Sequence, residues 1–220
     1  MNASWSGWDY GRFVGYTYLL DLKNEGGAAQ SCATYGGYFA GNAPVTDILS
    51  LGYRAEFAFQ TDYADNPQDY RAEYYNAELS ANVKPFSFGG GYEVLGTDSN
   101  DAGAGSVGFK TPLATLHAFN GWADVFLNTP AKGLRDIYGF AQVVLPGQIP
   151  LRAIYHKYDT DSGGADFGQE IDAQVSRKFG KNWTVLVKYA YYDGKDAAPP
   201  SLGVADVTVH KFWAQVEFNY

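Results

Sequence analysis

Charged and polar side chains recur at alternate positions along this chain of 220 residues. Arg54 and Glu56 lie two residues apart, as do Glu170 and Asp172. Two residues is the side-chain period of a β-strand, so both members of each pair face the same side of a sheet. Where such a face encloses a narrow interior, mixed charges select which ions and solutes pass. The residues predicted to line this interior, the lumen, are Arg54, Glu56, Glu78, Glu93, Arg152, His156, Glu170, Asp172, Lys188 and Glu217.

These charges also have a structural interpretation. Burying an unpaired charge is costly, so positive and negative side chains in a narrow interior are expected to pair with one another. Such pairs would fill and rigidify a small barrel instead of lining a path. The sequence alone leaves both roles open.

Catalytic motifs are absent from the sequence. The histidines, His117, His156 and His210, lie far apart without metal-ligand spacing, and there is no nucleophile elbow, P-loop or dinucleotide fingerprint. A set resembling the rim residues of ten-stranded outer-membrane proteases could come from Asp62, Asp65, Asp159, Asp161 and His156. Aspartates at a rim are also ordinary loop and turn residues, and the family resemblance described below points away from catalysis. We therefore expect no enzyme activity, no cofactor and no metal site.

Composition narrows the class of protein. The net charge is −8 and no Lys/Arg-rich run occurs, so nucleic acid is a poor partner. The single cysteine, Cys32, excludes an internal disulfide. No apolar run approaches the 18 or so residues of a membrane-spanning helix, although a barrel strand needs only about 10 residues. Residues 1–5 show no basic and apolar leader, which fits a protein that is not exported or a mature or truncated chain.

Alternation with a period of two dominates the chain and predicts strands. From Leu49 to Tyr63, most odd positions are apolar or aromatic, whereas even positions are mainly polar or charged. Short and long connections alternate between such segments, as in outer-membrane barrels. The predicted strands are 9–22, 30–43, 48–64, 70–84, 86–98, 134–146, 149–159, 167–178, 182–194 and 208–220.

Two folds can produce this alternation. A soluble β-sandwich or lipocalin-like barrel points its apolar residues inward, whereas a membrane barrel points them at lipid. Aromatic residues such as Trp183, Tyr191 and Tyr220 lie towards strand ends, where a membrane barrel carries its aromatic girdles. The predicted strands are also longer than the usual five or six residues. We therefore favour the membrane barrel.

The longest connection, Ser99 to Gly133, has apolar residues at helical spacing from Leu113 to Leu127. This spacing predicts a short helix after Pro112 with Thr111 as its N-cap. Long loops with internal structure are usually functional, so we expect this one to fold into the lumen and narrow it. The alternative is a loop packed on the outer rim. The residues predicted to form the constriction are Thr111, Pro112, Leu116, His117, Phe119, Trp122 and Asp124.

Several segments resemble the alginate-export-type outer-membrane porins of Gram-negative bacteria. The run from Phe109 to Asp124 carries the resemblance, supported by Tyr16–Asp21 and Gly90–Gly96. The resemblance covers nearly the whole chain but only about the C-terminal half of a typical family member. It implies an outer-membrane location and a large pore. Alginate is not carried over as a substrate, because acidic residues outnumber basic ones at the inward positions.

The sequence therefore predicts an all-β fold: one antiparallel transmembrane β-barrel domain of about ten strands over residues 1–220. The expected location is the outer membrane of a Gram-negative bacterium. The expected function is a passive, porin-like channel for ions or small solutes, restricted by the 99–133 loop. The alternative is a non-conducting, side-chain-filled barrel with a structural or partner-binding role. The expected partners are the lipid bilayer, small solutes or ions, and a second copy of the chain if edge strands pair across chains.

Overall fold

The computed structural model describes residues 1–98 and 106–220. Over these ranges the chain forms a single antiparallel sheet of eleven strands, in which each strand pairs with its neighbours in sequence. The strands are β1 (Asn2–Trp8), β2 (Gly11–Leu20), β3 (Cys32–Pro44), β4 (Leu49–Asp62), β5 (Arg71–Val83), β6 (Phe86–Leu95), β7 (Leu134–Leu145), β8 (Ile149–Asp159), β9 (Asp166–Phe179), β10 (Trp183–Gly194) and β11 (Thr208–Phe218). The all-β class and the antiparallel order are confirmed.

The ten predicted strands correspond to β2 through β11, and β1 is an addition. The pairing of β1 with β2 shifts register between Trp5 and Trp8. Both tryptophan rings nevertheless lie near Phe13, with ring centroids 6.0 and 6.4 Å from it. Because of this shift, Trp5 and Trp8 lie beside the same ring although they are three positions apart. The side chains of β1 therefore do not alternate with a period of two. The sequence pattern therefore did not reveal this strand.

The connections fall into two groups at opposite ends of the strands. Short turns occupy residues 9–10, 45–48, 84–85, 146–148 and 180–182. Longer loops occupy residues 21–31, 63–70, 96–133, 160–165 and 195–207. We call these ends the short-turn side and the long-loop side. Outer-membrane barrels have the same division between short periplasmic turns and longer extracellular loops.

The two faces of the sheet differ in polarity. Strand pairing places Arg54 opposite Glu78, and His156 opposite Glu170, on what we call the inner face. The opposite, outer face exposes large apolar side chains: Leu79 is 70% exposed and Phe212 is 67% exposed. Soluble proteins bury most side chains of this kind. The polarity is therefore that of a membrane barrel.

The hydrophobic core lies on the inner face, towards the long-loop side. It combines inward residues of the strands, such as Tyr158 and Tyr192, with residues of the long connection, such as Trp122, Val125 and Phe126. The 106–133 segment thus supplies part of the core. We call this segment the docked loop.

The sheet has two free edges in the part of the chain described. Strand β1 pairs only with β2, and β11 pairs only with β10. Over the same residues, no helix has the length and apolar character needed to cross a bilayer.

Leu79→Arg should weaken folding into a bilayer, since Leu79 lies on the apolar outer face in β5. Arginine on a lipid-facing strand position costs about 2–4 kcal/mol near the bilayer centre. The measurement is a denaturant titration of folding into lipid vesicles. The matched control is Ser80→Arg, at the next position of β5, which lies on the inner face opposite Gly52 and Gly89. If Leu79→Arg and Ser80→Arg lowered the free energy of folding equally, the assignment of the outer face to lipid would be contradicted.

Candidate functional site

The inner face surrounds a cavity of about 930 Å³. Its walls come from β1 through β8 and from the docked loop. Six of the predicted lumen residues line it: Arg54, Glu56, Glu78, Glu93, Arg152 and His156. The other four lie outside the cavity: Glu170 and Asp172 are fully buried, Lys188 lies over the Trp122 ring, and Glu217 is exposed near the short-turn side.

Tyrosine hydroxyls hold three of the cavity carboxylates. Tyr16 Oη donates to Glu56 Oε1 over 2.7 Å. Tyr74 Oη donates to Glu93 Oε1 over 2.6 Å, and Tyr138 Oη donates to Glu78 Oε2 over 2.7 Å. A charge-assisted hydrogen bond fixes a carboxylate more firmly than water does. The acids are therefore held at defined positions along the cavity wall.

The basic side chains of the cavity are only partly neutralised. Arg54 forms an ion pair with Glu56, and its guanidinium lies 4.0 Å from the centre of the Tyr38 ring. Arg152 lies over the Phe140 ring at 4.8 Å, while its buried Nε has no hydrogen-bond partner among the residues described. The cavity thus presents fixed charges of both signs.

A buried histidine lies beside two aspartates. His156 Nδ1 lies 2.9 Å from Asp136 Oδ2, and His156 Nε2 lies 3.8 Å from Asp172 Oδ2. The imidazole also stacks on Tyr158, with ring centroids 5.4 Å apart. Instead of joining the protease-like rim set, His156 contacts Asp136, and Asp65 forms an ion pair with Lys23. The structure therefore does not assemble the protease-like set.

The docked loop is first anchored near its beginning. Lys110 N–H donates to Gln60 Oε1 over 2.7 Å, and Gln60 Nε2 donates back to the Lys110 carbonyl over 2.8 Å. The Lys110 ammonium donates to Gln68 Oε1 over 2.8 Å and lies 4.4 Å from the centre of the Tyr70 ring. Burial lowers the pKa of Lys110, because it removes water from the charged form.

The middle of the docked loop is anchored on three acids of the inner face. Asn120 Nδ2 donates to Glu93 Oε2 over 2.8 Å. The main-chain N–H of Trp122 donates to Asp172 Oδ2 over 3.1 Å, and that of Ala123 donates to Glu170 Oε1 over 2.6 Å. Main-chain donors thus bind two carboxylates of β9 directly.

A third anchor joins the docked loop to β10 and β11. Asp124 binds His117 Nδ1 at 2.7 Å and Lys211 Nζ at 3.2 Å. Lys188 Nζ lies 4.4 Å from the centre of the Trp122 ring. A cation over an indole ring is favourable, especially where water is excluded. The loop is therefore attached to strands from β4 to β11.

The predicted constriction residues divide into two groups. Thr111, Pro112, Phe119 and Trp122 line the cavity, whereas His117 and Asp124 bind each other on the loop and Asp124 also binds Lys211 of the wall. Leu116 lies in a single 3₁₀ turn, Leu116–Ala118.

The helix predicted from Leu113 to Leu127 is wrong. The 3₁₀ turn is the only helical element between residues 106 and 133. Asn120, Gly121 and Asp124 have φ values of 52°, 86° and 58°, which lie in the left-handed region and interrupt a right-handed helix. Of the apolar residues at this spacing, Trp122, Val125 and Phe126 pack in the core, whereas Leu113 and Phe119 are exposed. Residues 99–105 of the predicted loop lie outside the described residues.

Several residues of the site were missed in the sequence. Asp136 and Lys211 lie at the inward parity of β7 and β11, so the same alternation could have found them. Asn120 and Gly121 gave no comparable signal, because their roles depend on the path of the main chain within the loop.

No protein-family model matches the sequence, and no curated protein matches it. Solved structures do match. The structure of OccAB2 from Acinetobacter baumannii has a TM-score of 0.67 and 12% identity, covering 97% of this chain and 54% of that one. OpdL from Pseudomonas aeruginosa has a TM-score of 0.67 and 16% identity, covering 100% of this chain and 58% of that one. The outer membrane protein OprD from P. aeruginosa has a TM-score of 0.61 and 12% identity, with coverages of 97% and 58%.

This likeness shows the fold, which is that of outer-membrane β-barrel porins. The chain spans a little over half the length of these porins, between 54% and 58%. The expected outer-membrane location agrees with this likeness, as does the expectation that the chain is not an enzyme.

The resemblance to alginate-export-type porins is wrong, since the similar structures are OprD-family porins. Alternating strands are common to outer-membrane barrels in general, so they do not separate one family from another. The most specific run, from Phe109 to Asp124, belongs to the docked loop, where apolar residues such as Trp122 pack in the interior.

Proposed function

We propose that the chain forms the wall of a passive, porin-like channel for small solutes or ions in the outer membrane of a Gram-negative bacterium. The observation that carries this proposal is a charged inner face around a cavity of about 930 Å³, backed by an apolar outer face. The likeness to porin structures supports it. In this proposal residues 1–220 act as one barrel-type domain, with the bilayer and the solute as partners.

The docked loop is proposed to restrict this channel. Its residues Thr111, Leu113 and Phe119 line the cavity, and its anchors attach it to the inner face. A segment that crosses an interior in this way reduces the open cross-section, and the side chains at the narrowest place then decide what passes.

The fixed charges favour cations over anions in the proposed channel. The cavity is lined by Glu56, Glu78, Glu93 and Asp136 against Arg54, Arg152 and Lys110. The whole chain carries a net charge of −8. Rings of acidic side chains raise the local concentration of cations and lower that of anions.

The unaltered chain, refolded into a planar bilayer, should give steady single-channel openings. Under a KCl gradient, the reversal potential should show a modest preference for K⁺ over Cl⁻. The preference should fall at high salt, because mobile ions screen the wall charges. An anion preference would contradict the role given to the acidic wall, and the absence of openings would contradict the channel itself.

A second candidate function is that of a non-conducting, structural barrel. It is favoured by the tight packing of Trp122, Val125 and Phe126 within the core on the inner face. A chain that inserts and resists denaturation but remains silent in the bilayer would support this alternative.

Pairing between copies of the chain remains a prediction. Unpaired strand edges are costly in lipid because their N–H and C=O groups find no water. If β11 of one copy met β1 of another, both free edges would be satisfied. Chemical cross-linking in detergent, followed by mass measurement, would test for such an oligomer.

A further inference from the structure

Glu170 and Asp172 are an unusual feature of the inner face. They lie two residues apart on β9, and both are fully buried. A buried carboxylate loses its hydration and is stable only if other groups bind it. Their presence under the docked loop therefore requires a compensating interaction.

The main chain of the docked loop supplies that interaction. One oxygen of each carboxyl group accepts an N–H, from Ala123 to Glu170 and from Trp122 to Asp172. The remaining oxygens, Glu170 Oε2 and Asp172 Oδ1, have no hydrogen-bond partner among the residues described. Two adjacent buried acids with a free oxygen each can share one proton between them, which reduces the repulsion between their charges.

The approach of the loop to these acids is as close as the main chain allows. A Cβ added to Gly121 would lie 2.5 Å from Glu170 Oε2 and closer still to Tyr158 Oη. Tyr158 is itself fully buried. Only glycine permits this contact, so the loop is fitted to the carboxyl pair.

We propose that Glu170 and Asp172 form a carboxylate clamp, a pair of positioning residues on β9 that fix the docked loop and so set the width of the constriction. The proposal rests on the proposed channel function for its effect on transport. The clamp itself is a structural claim, and it can be tested even in a silent chain.

The clamp differs from ordinary wall charge in the substitutions that it tolerates. In Asp172→Asn, the amide oxygen can accept the Trp122 N–H while the amide N–H₂ donates to Glu170 Oε2. Asp172→Ala leaves the Trp122 N–H without its partner and removes the acid that lies beside Glu170. A clamp therefore survives the asparagine variant and fails in the alanine variant, although both remove the same negative charge.

The test measures thiol accessibility in the docked loop. Cys32 is the sole cysteine, so a Cys32→Ala chain gives a thiol-free background. Val125→Cys then introduces one reporter thiol at a position that is 1% exposed. The probe is a charged methanethiosulfonate reagent, applied to the chain folded in detergent, and the readout is the labelling rate.

With the clamp intact, the reporter thiol should label slowly. Asp172→Ala and Glu170→Ala should each raise the rate by roughly tenfold or more, the effect of losing one hydrogen bond to a charged group. Asp172→Asn should restore slow labelling. The control is Gln174→Ala, which alters the next inward position of β9 and should leave the rate unchanged.

Folded chains are selected by heat-modifiable electrophoretic mobility before labelling. The two alanine variants act on different main-chain contacts, so either one provides a reading if the other fails to fold. Equal rates in the parent and in a folded alanine variant would overturn the clamp, as would fast labelling in Asp172→Asn. If neither alanine variant folds but Asp172→Asn does, the result would support the clamp.

The two proposals fail separately. If the parent chain does not conduct, but substitutions of Glu170 and Asp172 raise the labelling rate of the reporter thiol, the clamp proposal stands and the channel proposal is wrong. If the parent chain conducts, and substitutions of Glu170 and Asp172 change neither the labelling rate nor the conductance, the channel proposal stands and the clamp proposal is wrong.

Discussion

Gly121→Ala should release the docked loop and increase the single-channel conductance. The added methyl group would collide with Glu170 Oε2 and Tyr158 Oη, which belong to fully buried side chains. Gly121 also has a φ of 86°, which costs a non-glycine residue about 1–3 kcal/mol when the surroundings enforce it. Because both side chains are buried, we expect the loop to relieve the collision by moving away from β9.

The measurement is single-channel conductance, with the labelling rate of the thiol introduced by Val125→Cys as a second readout of the same movement. Gly163→Ala is a closely matched control. Gly163 has a φ of 88°, almost the same as Gly121, but a Cβ there would meet nothing within 4 Å. If Gly163→Ala raised the conductance equally, backbone strain anywhere in the long loops would explain the effect. No increase in Gly121→Ala would contradict the restricting role of the loop.

Replacement of residues 109–129 by a Gly-Ser pair should raise the conductance more than Gly121→Ala does. The flanking residues Gly108 and Pro130 are already in contact, so a short linker can join them with little movement of the strands. Conductance rises with the open cross-section, and we expect an increase of roughly twofold or more. The replacement also removes Phe109, Trp122, Val125 and Phe126 from the core, so the variant should unfold at lower denaturant concentration.

The control for this replacement is a shortened turn at the opposite end of the strands. Residues 45–48 connect β3 and β4 on the short-turn side and lie away from the docked loop. Their replacement by Asn-Gly, which suits a tight hairpin, should leave the conductance unchanged. An unchanged conductance after removal of 109–129 would contradict the constriction and favour a path elsewhere.

Much of the sheet could be predicted because strand periodicity is visible in the side chains. In β4 the alternation of Arg54 and Glu56 with apolar neighbours reflects the two environments on either side of the sheet. The same rule predicts the face for every strand from β2 to β11. It fails at β1, where the register shift between Trp5 and Trp8 removes the alternation that the rule reads.

The docked loop could be located but not described from the sequence. Its length and apolar content indicated a structured segment, yet the spacing from Leu113 onward suggested a helix that the left-handed conformations of Asn120 and Gly121 prevent. The anchors on Glu170 and Asp172 use main-chain N–H groups, which every residue but proline carries. Such contacts do not require a particular residue type at the donor position, so periodicity and composition cannot reveal them.

Because main-chain N–H groups bind Glu170 and Asp172, different residues of the docked loop hold it in place and line the cavity. Position is set by the amides of Trp122 and Ala123 and by Gly121, whereas Leu113 and Phe119, which are 70% and 55% exposed, face the cavity. In the proposed channel, substitutions at 113 and 119 would therefore alter the side chains that a permeating molecule contacts without moving the part of the loop that holds them. If the chain conducts as proposed, a few mutations at these two positions would be enough to change its solute preference, and they are the positions to randomise when engineering a new selectivity.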